Sequence, residues 1–292
     1  MQLRYAVFPV AGLGTRLLPA TKVLAKEMLP IIDRPLIQYA VDEAVAAGCD
    51  TLVFVSNRYK HSIQDYFDTA FELEHRLTRG KKQAELDSIR DILPKGVNPV
   101  FVTQQEALGL GHAVLCAKPV IGNQPFAVLL PDDLIFNRAR GVLGQMVDAL
   151  ERHPGSAVAV EEVPRDQTHR YGVVSADDAA APVSRMRGVV EKPKPAEAPS
   201  NLAIVGRYVL SGRIFELLEQ TKPGAGGEIQ LTDAIAALIE EEPVYACRFA
   251  GRRYDCGNKL GVVRATVEFA LEDPSISAEV RKLMVAALER RG

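Results

Sequence analysis

Apolar positions along this chain fall into two spacings. Short continuous runs over residues 5–10, 51–56, 126–130 and 201–210 predict strands buried on both faces of a sheet. Residues 99–104, 157–163, 171–175, 187–190 and 244–249 are β-prone and read as further strands. Between them the period changes to that of a helix. Ile37, Ala40, Val41, Ala44 and Val45 repeat behind Pro35 and stop at Gly48, which predicts one amphipathic helix. Residues 5–56 therefore form a βαβ unit, and such a unit implies parallel strands joined by a right-handed crossover. Helices are also expected near residues 111–118, 142–152, 212–220 and 228–241. A charged helical excursion over residues 61–93 offers Ile63, Phe67, Phe71, Leu73 and Leu77 on one side. The tail carries an apolar stripe of Val280, Leu283, Met284, Ala287 and Leu288, which either covers the core or builds a subunit contact. The sum is an α/β chain with a central, mostly parallel sheet flanked by helices.

Composition narrows the classes. At 292 residues the chain suits one large α/β domain or two smaller ones. A net charge of −2 without a basic tail argues against a nucleic-acid partner, so any anion grip must be local. The four cysteines, Cys49, Cys116, Cys247 and Cys256, are widely spaced without a C-x-x-C pair, which suits reduced thiols in the cytoplasm. No apolar run reaches the roughly 18 residues of a membrane span, and no signal peptide is read at the N-terminus.

The chemistry concentrates at strand ends, where ligands of open α/β sheets gather. The first strand runs into AGLGTRLLPATK, in which Gly12 and Gly14 let backbone N–H groups approach an anion while Arg16, Lys22 and Lys26 supply charge. It is not a dinucleotide fingerprint, because Leu17 stands where the third glycine belongs and Pro19 where a helix would open. Nor is it a Walker loop, since no Gly-Lys-Ser/Thr follows. Gly-x-Gly alone also suits a plain turn, but a plain turn needs no such set of cations. Asp132, after residues 126–130, reads as a magnesium ligand or as a turn or capping aspartate, with Asp133 beside it. Asp255 is the second metal candidate. Gln104 at a strand end can offer both an amide donor and an acceptor to a base edge, and His112 follows at a helix start. Glu191 and Lys192 serve either a sugar phosphate or a surface ion pair.

These stretches, with KEMLP, DRPLIQYAVDEAVAAG, FDTAFELE, GLGHAVLCA, LLPDD, YGVV, VVEKPKP, SNLAIVGRYVL, GGEIQLTDAI and DCGNKLG in collinear order, span essentially the whole chain. Together they resemble the sugar-nucleotide pyrophosphorylases, most closely the bacterial UTP-glucose-1-phosphate uridylyltransferases, or UDP-glucose pyrophosphorylases. The resemblance implies one Rossmann-like nucleotidyltransferase domain over residues 1–292. Its N-terminal part would bind nucleotide, and residues 151–292 mainly the sugar, with C-terminal helices. It implies transfer of a uridylyl group from UTP to glucose 1-phosphate with Mg²⁺. Arg16, Lys26, Asp132 and Lys192 would be catalytic. Ala11, Gly12, Gly14, Gln104 and Gly109 would hold the nucleotide, and Gly172, Glu191, Lys192 and Asn201 the sugar. Asp132 and Asp255 would hold the metal, with Glu228 nearby and its role open. A homo-oligomer, dimer or tetramer, is expected. A sibling enzyme for another nucleotide, such as a thymidylyltransferase, or a binding protein without turnover would share much of this set. The helical excursion and DCGNKLG favour the uridylyl group, and the intact cations favour turnover.

Overall fold

The computed structural model describes residues 3–224 and 227–290; Gly226, the first residue of the GGEIQLTDAI stretch, lies outside them. In chain order the first part holds β1 (Tyr5–Pro9), the short β2 (Pro30–Ile31) and β3 (Arg34–Pro35), α1 (Leu36–Ala46) and β4 (Thr51–Ser56). Three helices follow, α2 (His61–Phe67), α3 (Phe71–Arg79) and α4 (Gln83–Arg90), then β5 (Asn98–Thr103), α5 (Leu110–Leu115), α6 (Lys118–Ile121), β6 (Phe126–Leu129), β7 (Asp133–Phe136) and α7 (Val142–Arg152). The rest comprises β8 (Ser156–Glu162), β9 (Gly172–Ala176), β10 (Val183–Glu191), β11 (Leu202–Leu210), α8 (Arg213–Gln220), α9 (Leu231–Glu241), β12 (Val244–Arg248), β13 (Arg252–Asp255), α10 (Lys259–Glu272) and α11 (Ser277–Glu289).

Nine strands make one sheet in the order β5-β4-β1-β6-β11-β8-β12-β10-β9. The expected βαβ unit is present: β1 and β4 pair in parallel, Val7 opposite Val53, with α1 crossing between them. β5 and β6 extend this parallel half. The direction then breaks, because β11 enters antiparallel between β6 and β8. β8 and β12 pair in parallel, while β10 and β9 complete the sheet through antiparallel ladders. Strand direction is thus mostly shared, with β10 and β11 running against the rest.

The sheet is covered on both faces. Val7, Val128, Val158, Phe215 and Leu238 belong to one core with α5, α8 and α9, while Ala6, Phe8, Phe54, Leu143 and Met146 belong to another with α1 and α7. Each fully buried Leu, Val or Phe contributes about 1.5–3 kcal/mol, so these two layers hold the sheet edge rigid. A polar clamp lies on the α1 side. Arg207 on β11, only 1% exposed, donates to Glu43 of α1 (2.9 Å) and to the Leu130 carbonyl (3.1 Å), tying the segment after β6 to that helix.

Two expectations change and one open alternative is decided. Of the apolar positions expected on the helical excursion, Ile63 and Phe67 pack against the core but Phe71 and Leu73 are exposed, and Leu86 joins the support because the excursion packs through α2 and α4. The helix expected near residues 111–118 is two short ones. The apolar stripe of α11 does not cover the core: Leu283 and Leu288 are 64% and 75% exposed. All four cysteines are free thiols, and burial pushes Cys49, Cys247 and Cys256 up to about 12. Among the described residues no helix is long and apolar enough to cross a membrane.

Candidate active site

The segment after β1 forms no α-helix; it folds as three 3-10 turns at Thr15–Leu17, Ala20–Lys22 and Lys26–Met28. Gly14 permits this path, since its φ of +66° lies in the left-handed region and a Cβ there would press on Lys26 and Thr21 at 3.3 Å. Thr21 Oγ1 donates to the Gly14 carbonyl (2.7 Å), and Asn57 Nδ2 to that of Ala11 (2.6 Å). A Cβ added at Gly12 would meet nothing within 4 Å, so the space above it is open to a ligand. Lys22 is exposed, with no ion pair among the described residues.

These turns bring Lys26 Nζ to 2.6 Å from Asp132 Oδ2, with Arg16 at 4.0 Å from the same oxygen. Behind Lys26, the fully buried Glu27 bonds Lys60 (2.6 Å) and keeps its other oxygen 4.0 Å from Lys26. The charges therefore alternate through Asp132, Lys26, Glu27 and Lys60. Burial works against the Lys26 charge, but Asp132 and Glu27 outweigh it and keep the ammonium above its ordinary range. Burial likewise opposes ionisation of Asp132, yet Lys26 and Arg16 hold its carboxyl low. In the Glu27–Lys60 pair burial dominates, raising the acid and lowering the amine.

Asp132 and Asp255 do meet, though not as two ends of the main sheet. Asp255 terminates β13, a polar strand that pairs with β7 in a separate ribbon, and not the apolar strand β12. The carboxylates meet beside Gly257, where a Cβ would fall 2.9 Å from Asp132 and 3.0 Å from Asp255, with the Arg16 guanidinium closer still, so a metal between them would need Arg16 to swing toward a bound phosphate. Asp255 accepts from Arg170 (2.9 Å) and from the Gly257 N–H (3.1 Å). Two hard carboxylates on one cavity wall fit Mg²⁺, which typically takes one or two protein carboxylates and draws its other ligands from phosphate and water. Among the described residues no cluster of three or more His, Cys, Asp or Glu forms a ready-made cage. Asp133 has a different task. It accepts from Arg253 (2.6 Å), which also holds Glu161 (2.6 Å) and lies over the Tyr171 ring. That pair clamps β13 against β7 and so places Asp255. Gly206, at φ +54°, is required here, because a Cβ would fall 2.6 Å from the Asp133 carboxylate.

On the opposite wall Glu191 ends β10, its Oε2 accepting from Thr232 (2.7 Å) and its Oε1 3.1 Å from Lys192 Nζ. Lys192 takes a left-handed φ of 46° and donates its N–H to the Tyr171 carbonyl, which turns its side chain out of the strand path. Gly172 leaves the gap above this pair, since a Cβ would crowd Thr232 at 3.1 Å. Arg16, Asp132, Asp255, Gly172, Glu191 and Lys192 all line one cavity of about 460 Å³, with Thr232, Arg170 and Glu228. Asn201 does not line it. It precedes β11 on the parity of Ala203 and Val205, whereas Ile204, Gly206 and Tyr208 face the cavity.

Gln104 follows β5 and is 6% exposed. Its amide nitrogen donates to the Gly109 carbonyl (3.2 Å) and stands 3.0 Å from His112 Nδ1, so the donor side that could have met a base is turned inward. Gly109, at φ +97°, is a glycine for packing: a Cβ would collide with Glu228 at 2.7 Å. Thr232, Arg170, Arg253 and the Glu27–Lys60 pair were not singled out from sequence. Thr232 and Glu27 lie inside conspicuous stretches, GGEIQLTDAI and KEMLP, but only their contacts give them roles.

The nucleotidyl transferase family model matches residues 6–270. The chain belongs to that family. It is 47% identical over 265 residues to a UTP–glucose-1-phosphate uridylyltransferase of Pseudomonas aeruginosa, a match covering 90% of this chain and 95% of the relative. Its fold superposes with a TM-score of 0.90 on a UTP-bound UGPase from Acinetobacter baumannii, 44% identical and covering 97% of this chain and 99% of that one. A UDP-glucose pyrophosphorylase complexed with UDP-glucose aligns with a TM-score of 0.85 at 43% identity, covering 93% and 100%. As a nucleotidyltransferase, the chain has reason to oppose two cation-bearing walls across one cavity.

Proposed function

We propose that this chain transfers a uridylyl group from UTP to glucose 1-phosphate, giving UDP-glucose and pyrophosphate by Mg²⁺-assisted in-line attack on the α-phosphate. One observation carries the reading. The Lys26–Asp132 contact with Arg16 faces the Glu191–Thr232–Lys192 group across a single cavity, so a triphosphate and a sugar phosphate can meet between them. The names of the relatives support the substrate pair. Within one nucleotidyltransferase domain, the N-terminal part would serve the nucleotide and residues 151–292 mainly the sugar.

The attacking phosphate of glucose 1-phosphate is ionised at neutral pH, so no general base is required. The obstacle is charge. Two unit charges 4 Å apart repel by about 4 kcal/mol in surroundings of intermediate polarity, and the approach brings several such pairs together. Arg16 and Lys26 offset it on the triphosphate, and Lys192 on the sugar phosphate. The backbone of Ala11, Gly12 and Gly14 gives close approach to the nucleotide, and Gln104 with the Gly109 segment meets the base. With Oε2 committed to Thr232, Glu191 would turn Oε1 to sugar hydroxyls in the gap left by Gly172 once Lys192, now 3.1 Å from that oxygen, moves to the sugar phosphate. We retain Asn201 as a sugar-side candidate through its backbone only. Asp132 and Asp255 would hold Mg²⁺, which when bound neutralises phosphate oxygens and the departing pyrophosphate. Holding both reactants aligned is itself worth about 7–11 kcal/mol.

The free thiols support a cytoplasmic setting, and the exposed apolar face of α11 supports a homo-oligomer, dimer or tetramer. Pyrophosphate release, measured across the nucleoside triphosphates with glucose 1-phosphate and Mg²⁺, tests the assignment. Release should need UTP and the sugar phosphate together. Release without the sugar phosphate, or no preference for UTP over purine nucleotides, would overturn it.

A further inference from the structure

Beyond the phosphate and sugar groups, one small network bears on which base is accepted. An amide nitrogen carries two protons, and a backbone carbonyl can only accept. The Gly109 carbonyl, 3.2 Å from Gln104 Nε2, therefore takes one of the two protons. The second proton finds its acceptor at His112 Nδ1, 3.0 Å away. That nitrogen accepts when the ring proton sits on Nε2, which lies 4.0 Å from the Cys116 sulfur. With both amide protons engaged, Gln104 Oε1 is left with no hydrogen bond among the described residues, and it is not among the sealed-off unpaired atoms.

We infer that His112 is a positioning residue for base selection: by accepting the second amide proton it locks Gln104 so that only the Oε1 acceptor meets the base. Such a site takes a pyrimidine whose N3 carries a proton, as in uracil or thymine. It rejects cytosine, whose N3 presents a lone pair to the same oxygen. Without the His112 acceptor a single hydrogen bond to Gly109 holds the amide, which is then free to turn and offer its donors instead. The 5-methyl position is untouched by this device, so it separates uracil from cytosine but not uracil from thymine. The inference rests on the proposed uridylyl transfer and names the source of its base preference.

The test compares kcat/KM for UTP, CTP and dTTP, each with glucose 1-phosphate and Mg²⁺, in the wild type, His112→Phe and His112→Asn. Phenylalanine keeps a ring without the acceptor, whereas asparagine can place Oδ1 where Nδ1 stood. The UTP:CTP ratio should fall about tenfold in His112→Phe, the scale of one lost hydrogen bond. The UTP:dTTP ratio should hold, and His112→Asn should restore the first ratio. His112→Leu serves the same comparison should the phenylalanine variant not fold. An unchanged UTP:CTP ratio, or equal losses with all three nucleotides, would overturn the inference. A wild type that releases no pyrophosphate from UTP would count against the uridylyl reading alone, and calorimetric UTP and CTP binding to the same proteins would then decide the role of His112.

Discussion

In the parallel half of the sheet, β5-β4-β1-β6, the cations come from one continuous loop: Arg16 lines the cavity beside Asp132, and Lys26, ten residues on, holds the same aspartate from behind. In the half from β11 to β9 the cavity wall is assembled from distant pieces: Gly172 on β9, Glu191 on β10 and Thr232 on α9. The first region is built by turn chemistry, with Gly14 setting the path and buried charges behind it fixing Lys26. The second is built by strand pairing, because the β9–β10 register sets Glu191 opposite Gly172. A loop can therefore be specialised by local substitutions, whereas the far wall changes only if its strands and α9 stay in register.

The boundary between the regions runs through two adjacent aspartates, and the sharpest test separates them. Asp132→Asn should lower kcat by about 10²–10³-fold, the usual cost of losing one preorganised electrostatic group, and cost about 1–3 kcal/mol of stability, since Lys26 loses its nearest partner and keeps Glu27. Asp133→Asn should spare more of the turnover and cost about 1–3 kcal/mol of stability, since Arg253 loses one buried partner and keeps Glu161. Asp133 is thus a mild control for chemistry only. If Asp133→Asn proves the more damaged in kcat, or Asp132→Asn keeps wild-type turnover and Mg²⁺ dependence, the division is wrong.

A second comparison sets the two lysines against each other. Lys192→Ala should raise KM for glucose 1-phosphate by about tenfold, the scale of a lost charge-assisted hydrogen bond, and leave KM for UTP nearly unchanged. Lys26→Ala should act mainly through kcat with UTP. Equal effects on both substrates in both variants would erase the distinction between the walls.

The smallest effect on catalysis is expected furthest away. Leu283→Glu with Leu288→Glu on the exposed face of α11 should shift the sedimentation coefficient to a smaller species while kcat is kept. A monomeric wild type would remove the self-association proposal, and a collapse of kcat would tie that face to the site.

Much of the fold was legible because its signals are local. β1, α1 and β4 follow from apolar runs and a 3.6-residue period, and α7 spans the expected residues 142–152. The loop after β1 was legible for the same reason, since its glycines and cations are neighbours. Asp255 was found as a residue but misplaced as an element: β13 reads RRYD, which has no apolar alternation, and it is a strand only because β7 pairs with it. Arg253 and Thr232 gave no signal of their own, because a buried arginine or a hydroxyl acquires a task only from the carboxylate it meets.

By itself the sequence determined the family of fold, the βαβ start, the glycine- and cation-bearing loop after β1 and most of the charged residues that line the cavity, all of which lie within short, locally patterned spans. The tertiary structure alone decided which of two adjacent aspartates pairs with Lys26 and which with Arg253, which end of the Gln104 amide is exposed, and that the α11 stripe stays uncovered. The physical reason is that hydrogen bonds and ion pairs depend on ångström-scale approach between groups far apart in the chain. A list of residue types carries no record of that distance.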